Sequence, residues 1–179
     1  QFAVHEGPVM AAADRFDIAF TGIGGHAAMP EQTTDVIVAA AQAVTALQTI
    51  PSRDFAATDS AILSVTRIQG GTAHNVLPSR VELVGTTRCL SEAVRTRLET
   101  RMQTVIEGIA MAYGVEGHLR YRRGYPPSIN NALIAQYAQT IAAQTVGPNQ
   151  VHTDRPPSMG AEDFAYMLEA TPGCYVWLG

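Results

Sequence analysis

Three short clusters carry the side chains and backbone groups that could do chemistry. His26 lies in residues 21–30 (TGIGGHAAMP), directly after three closely spaced glycines. His74 and Asn75 lie between Gly70-Gly71 and Pro78, and residues 159–164 (MGAEDF) place two carboxylates at a predicted helix start. An imidazole carried on a loop can serve as an acid, a hydrogen-bond donor or a metal ligand. These clusters are therefore the candidates for a functional site.

Two of these clusters also have a purely structural interpretation. The glycines before His26 allow positive φ angles and a close backbone approach to another surface, and Pro30 pushes Met29 towards extended geometry. A tight turn whose histidine only hydrogen-bonds nearby backbone fits the same residues. Residues 159–164 also fit ordinary helix capping, because Asp and Glu are favoured in a first turn.

The elements that must position these clusters follow a recognisable order. Apolar periodicity predicts strands at 15–21, 61–68, 80–89 and 115–122, with one helix running from Asp35 to Ile50-Pro51 and another following Ser91. The second helix is predicted to bury Val94, Leu98, Met102, Val105, Ile109 and Ala112. The resulting β-α-β-β-α-β order predicts an α+β, ferredoxin-like domain, a four-stranded antiparallel sheet with two helices on one face.

The remainder of the chain does not belong to that sheet. After the connector around Pro126-Pro127, a helix is predicted from Asn130 or Asn131 to about 146, followed by a short helix and a last strand at 175–178. This alternation predicts a partial α/β segment. The expected domains are a connector at 1–13, the ferredoxin-like domain at 14–123 and the α/β part at 124–179. Because both ends read as strands, we expect a piece of a longer protein.

Composition narrows the function classes. The chain has 179 residues, 46% hydrophobic and 16% charged, with a net charge of −4. There is no basic excess of the kind that nucleic-acid binding requires, and no apolar run long enough for a membrane span. Cys89 and Cys174 form neither a CxxC pair nor a disulfide framework, which favours a reducing, cytoplasmic location.

The histidines form no recognisable metal-binding pattern. The five occur at 5, 26, 74, 118 and 152, and none makes an HxH, an HExxH or a Cys/His ladder. The sequence therefore assigns no metal ligand in this chain.

Seven motifs together resemble a known family. They are PVMAAADRFDI, GIGGHAAMP, DVIVAAAQAVTALQTI, GGTAHNVLP, GTTR, YRRGYPPSINN and MGAEDF, and they run in order along nearly the whole chain. The chain resembles the N-acyl-amino-acid amidohydrolases, which include hippurate hydrolases, aminoacylase-like enzymes and related two-metal carboxypeptidases. In such enzymes a ferredoxin-like lid, which dimerises, is inserted into a metal-binding α/β catalytic domain.

The resemblance implies roles for five residues. His26 would reach the partner subunit's active site and stabilise the oxyanion of amide hydrolysis. Asn75 and Arg88 would hold the substrate carboxylate, and Gly160 and Ala161 would offer backbone contacts. Substrates would be N-acyl amino acids of the hippurate or N-acetyl type.

The resemblance also implies what the complete enzyme needs. It would use two divalent metal ions (Zn, Mn, Co or Ni) whose ligands are not in this chain, so the chain alone is expected to be inactive. A homodimer is expected through the alanine-rich helix 35–50 and an adjacent edge strand.

Two other classes of function fit the same sequence. Ferredoxin-like domains also serve as non-catalytic dimerisation modules or as small-ligand-binding modules, because a fold does not fix a function. A structural remnant without a partner is a further alternative.

Overall fold

The computed structural model describes residues 1–179, which divide into two compact units. One unit comprises Gln1–Ala13, Arg88–Glu92 and Arg123–Gly179, and the other comprises Asp14–Thr87 and Ala93–Arg122. The helices are α1 (Val36–Leu47), α2 (Thr49–Arg53), α3 (Glu92–Tyr113), α4 (Ala132–Val146) and α5 (Phe164–Ala170). The strands are β1 (Phe2–Ala3), β2 (Gly7–Met10), β3 (Ala12–Thr21), β4 (Gly25–His26), β5 (Ala61–Gly70), β6 (Val76–Leu77), β7 (Arg80–Cys89), β8 (Glu116–Tyr125), β9 (Ser128–Asn130), β10 (Val151–His152) and β11 (Trp177–Leu178).

The predicted ferredoxin-like sheet is confirmed. Its four strands lie in the order β5-β7-β3-β8, so the second strand of the motif is at one edge and the last strand is at the other. Along β3 the buried residues alternate strictly with less buried ones, as expected of a strand with one face in the core. The buried set on this strand includes Phe16, Ile18 and Phe20, each at most 1% exposed.

Glycines on neighbouring strands make room for those aromatic rings. A Cβ atom added at Gly117 of β8 would lie 3.2 Å from the Phe20 ring and 2.9 Å from Ala110 of α3. The ring of Phe16 occupies the space that a Cβ at Gly85 of β7 would need. Large and small residues therefore interlock between the sheet and its helices, which is how a close-packed core reaches its density.

Helix α1 begins at a carboxylate cap. Asp35 is the N-cap, and its side chain accepts hydrogen bonds from the N–H groups of Ile37 and Val38 at 3.0 Å. The prediction that Pro51 ends this helix is wrong. The helix ends at Leu47, and Pro51 lies inside the short helix α2, where a first-turn proline loses no hydrogen bond.

A buried ion pair fixes α3 to the sheet. The Arg95 guanidinium donates to Asp14 of β3 at 2.6 and 2.9 Å, and both side chains are at most 5% exposed. The Tyr121 hydroxyl of β8 donates to the same carboxylate at 2.8 Å. The predicted apolar stripe of α3 is therefore partly wrong, because its buried face carries Arg95, Leu98, Met102, Ile106 and Ala110.

The other unit holds short sheets and two helices. Strand β1 pairs with β10 and β11, and β2 pairs with β9. Asn131 caps α4 by accepting from the Ile134 N–H at 3.2 Å, as the sequence predicts. None of the helices in the chain combines the length and the apolar character that crossing a membrane requires.

Candidate functional site

Two of the predicted site residues lie on adjacent loops. The two-residue strands β4 and β6 pair antiparallel, with Gly25 opposite Leu77 and His26 opposite Val76. Just beyond this ladder, the Ala27 N–H donates to the Asn75 carbonyl at 3.0 Å. The short ladder therefore brings His26 and Asn75 together, although 48 residues separate them in sequence.

Glycines permit this close pairing. A Cβ added at Gly24 would lie 2.7 Å from the Leu77 carbonyl oxygen, and one at Gly25 would lie 2.8 Å from Thr33. The predicted close approach is therefore correct for this loop. None of its glycines takes a positive φ angle, but Gly71, which precedes Asn75, has φ +74°. The loop glycines accordingly serve contact with a neighbouring strand, and only Gly71 needs left-handed geometry.

The histidine side chain has one nitrogen engaged and one available. Nδ1 of His26 accepts the backbone N–H of Ala28 at 3.1 Å, and the side chain is otherwise exposed. A neutral imidazole whose Nδ1 accepts carries its proton on Nε2. The local hydrogen bond therefore leaves an Nε2–H donor facing solvent. The histidine thus both bonds its own turn, as the structural interpretation predicts, and keeps a donor for chemistry.

Exposed apolar side chains lie on the same loops as this histidine, a feature that the sequence interpretation missed. Ile23 is 63% exposed, Met29 49% and Val76 48%, and all three lie on the two loops that hold His26 and Asn75. Large apolar groups at a loop tip are typical of a surface that contacts another protein or a ligand. Their occurrence within glycine-rich loops was the available sequence signal.

Arg88 lies on β7 and is half-buried. Its guanidinium has no hydrogen-bond or ion-pair partner within the chain. An arginine in this condition can offer its planar fork of donors to a carboxylate.

The backbone N–H groups of Gly160 and Ala161 differ in whether they are free to bind a ligand. The Gly160 N–H donates to Ser158 Oγ at 3.0 Å, and its carbonyl accepts from the Ala11 N–H at 2.9 Å. The Ala161 N–H makes no hydrogen bond within the chain. Of the two predicted backbone contacts, Ala161 therefore offers the free donor. Helix α5 begins at Phe164, after Asp163, whose side chain makes no capping hydrogen bond.

No group of three or more His, Cys, Asp and Glu side chains in the chain is arranged to hold a metal ion. The residues present therefore do not fit the dinuclear metal centre that the resemblance implies.

Comparison with known proteins identifies the family in which this arrangement occurs. Residues 12–114, which run from β3 to the end of α3 and include the His26 and Asn75 loops, match the peptidase dimerisation domain of the M20 family. The chain belongs to the M20 peptidase family.

Relatives in this family carry names that describe deacylation. The chain is 40% identical over 176 residues to the N-acetylcysteine deacetylase of Bacillus subtilis, covering 98% of the chain and 46% of that protein. It is 48% identical over 124 residues to the N-acyl-L-amino acid amidohydrolase of Geobacillus stearothermophilus, covering 69% of the chain and 34% of that protein.

A solved M20 structure has the same fold. A Bacillus subtilis protein described as a dinuclear metal binding peptidase superposes with a TM-score of 0.78 and 34% identity. The match covers 98% of the chain and 43% of that protein. The chain thus spans less than half the length of each of these three relatives.

Proposed function

We propose that this M20 chain is part of a metal-dependent amidohydrolase that cleaves the amide bond of N-acyl amino acids. The observation that carries the proposal is the hydrogen bond from the Ala28 N–H to Nδ1 of the exposed His26, which leaves Nε2 of a neutral ring as a donor. A fixed neutral donor can stabilise the negative charge that develops on the amide oxygen when water attacks. The names of the relatives support the substrate class.

In this proposal the remaining site residues bind the substrate. The unpaired guanidinium of Arg88 and the exposed side-chain amide of Asn75 each offer hydrogen-bond donors that suit the carboxylate of the amino acid. The free Ala161 N–H donates to a substrate oxygen, whereas the Gly160 N–H already donates to Ser158 Oγ. Two divalent metal ions in the complete enzyme supply Lewis-acid chemistry. Because this chain has no fitting ligand set, we assign no step to them here.

His26 acts on the active site of a partner subunit in a homodimer. Support comes from the dimerisation-domain match and from the outer face of α1, where Ile37 and Val38 are each 41% exposed. A helix with apolar residues on both its inner and outer faces is typical of one buried on both sides. Strand β5, which contacts α1 and lies at the sheet edge, continues this surface.

The direct test compares charged and capped substrates on the complete enzyme. We expect hydrolysis of N-acetyl or N-benzoyl amino acids, and we expect Arg88→Gln to raise KM at least tenfold for these acids, because one charge-assisted contact is lost. The same variant should leave hydrolysis of the corresponding carboxamides, which lack the negative charge, nearly unchanged. Absence of any turnover of N-acyl amino acids would overturn the proposed activity.

A non-catalytic dimerisation module is the competing function, and the exposed apolar face of α1 favours it equally. It predicts self-association without turnover in the complete protein. Because both functions predict self-association, the substrate assay separates the two.

A further inference from the structure

The face of the four-stranded sheet that lies opposite its helices carries a charged trough. Buried Phe16, Ile18 and Phe20 alternate along β3 with residues that point the other way. On that other face, neighbouring strands β7, β3 and β8 line a cavity of about 280 Å³. Its lining includes Asp17 and Ala19 of β3, Arg80 and Glu82 of β7, and Arg120 and Arg122 of β8.

Arginine outnumbers carboxylate at this trough. Asp17 is held between Arg15 at 2.8 Å and Arg122 at 3.1 Å. Glu82 accepts from Arg80 at 3.0 Å and lies 3.8 Å from Arg67. Each carboxylate is thus shared by two guanidinium groups. The surplus of positive charge is notable in a chain whose net charge is −4.

Arg120 is the cation that remains without a partner. It makes no hydrogen bond and no ion pair within the chain. Its charge nevertheless reaches the trough, because it is one of the groups that hold the pKa of Asp17 below its usual value. The hydrogen bond from Arg15 is the main cause of that lowering, with Arg122, Arg15 and Arg120 adding charge attraction and burial opposing them. The neighbouring His118 is 74% exposed, 3.9 Å from Glu116.

We propose that this trough binds a small oxyanion, a carboxylate or phosphate group, through Arg120. The guanidinium plane matches two oxygens of either group, and all twelve basic residues of this chain are arginines. Three adjacent strands give the trough a width of about 10 Å. Typical small-molecule sites have volumes of about 300–1,000 Å³, and the trough lies just below that range. The occupant is therefore a small acid rather than a macromolecule. Ala19 leaves the floor open.

The test is calorimetric titration of sodium phosphate and of sodium acetate into the purified protein, with sodium chloride holding ionic strength constant. We expect saturable binding of at least one anion, and at least a tenfold loss of affinity in Arg120→Gln. The matched control is Arg53→Gln, which removes the same charge from an exposed position on α2 and should change affinity less than twofold.

A second variant keeps the test decisive if Arg120→Gln folds poorly by circular dichroism. Ala19→Glu adds a bulky negative group to the floor of the trough and should abolish binding. Preference for phosphate or for acetate identifies the ligand group, and either supports the proposal. No saturable binding, an unchanged affinity in both trough variants, or an equal loss in Arg53→Gln overturns it.

Discussion

The backbone N–H of Ala28 points at Nδ1 of His26 across 3.1 Å, only two residues along the chain. This contact fixes both the ring orientation and the position of its proton without a second side chain. In many functional histidines Nδ1–H donates to a carboxylate or a backbone carbonyl, which leaves Nε2 as the acceptor. Here a backbone N–H donates to Nδ1 instead, so the proton of a neutral ring lies on the exposed Nε2.

Loss of the His26 imidazole should reduce the chemical step. In the complete enzyme, His26→Ala should lower kcat by about 10²–10³-fold, the usual cost of one oxyanion donor, while KM changes little. His74→Ala, at an exposed histidine of the neighbouring loop, is the matched control and should leave kcat unchanged. Steady-state kinetics with an N-acyl amino acid measures both. Equal effects of the two variants would remove His26 from the chemistry.

Subunit mixing tests whether His26 acts across a dimer. One subunit carries His26→Ala, and the other has an intact lid but a metal-binding region inactivated by substitution. A heterodimer of the two should hold one site with intact metal ligands and an intact His26 from the partner, so activity should return on mixing. If subunit exchange is demonstrated by fluorescence transfer and no activity returns, His26 acts within its own chain or only shapes the turn.

A charge on the outer face of α1 should prevent dimer formation. Ile37→Glu places a carboxylate in the first turn, where the helix dipole tolerates it, but buries that charge in the proposed interface. We expect a monomer by analytical ultracentrifugation at micromolar concentration. Met111→Glu on α3, where Met111 is 84% exposed, is the control and should leave the assembly state of the unmodified protein. A dimer that persists in Ile37→Glu would place the interface elsewhere.

The buried Asp14–Arg95 pair should be costly to break from one side. Asp14→Asn leaves the Arg95 charge buried without its counter-ion, and about 3–5 kcal/mol should be lost from the free energy of unfolding. Asp59→Asn, at an exposed position, should change it by less than about 0.5 kcal/mol. Adding Arg95→Met to Asp14→Asn should recover part of the loss. Urea unfolding followed by circular dichroism gives all three values, and a small effect of Asp14→Asn would contradict the role of the pair.

The ion pairs of Asp17 should make the free energy of unfolding depend on pH. The pKa of Asp17 is lowered from its usual 3.8, chiefly by the hydrogen bond from Arg15. The contribution is therefore fully present above pH 3.8 and is lost as pH falls through the lower pKa of the folded state. Since the pairs are largely exposed, we expect Asp17→Asn to cost only about 0.2–1 kcal/mol at pH 6. In urea unfolding, that difference should shrink towards zero at low pH, and a pH-independent difference would refute it.

Most of the fold could be predicted from local patterns. Alternating residues in β3 and β7, the 3.6-residue repeat of the helices and the caps at Asp35 and Asn131 are properties of neighbouring residues, so they can be read directly from the chain. The order of those elements leaves few topologies, and the ferredoxin-like order is one of them. The glycines before His26 likewise predicted a close approach, because only glycine tolerates it.

The tertiary structure decided those features that depend on residues distant in sequence. The predicted apolar stripe of α3 did not include Arg95, which is buried because its charge is paired with Asp14, 81 residues away. A sequence cannot show which ring nitrogen of His26 accepts a hydrogen bond. In the folded loop the Ala28 N–H donates to Nδ1, which distinguishes it from Nε2. The trough requires Asp17, Glu82 and Arg120 on three adjacent strands, an order set by sheet topology rather than by spacing. Local sequence therefore determined the elements and loops, while the three-dimensional packing decided which charges are paired and which donors remain free.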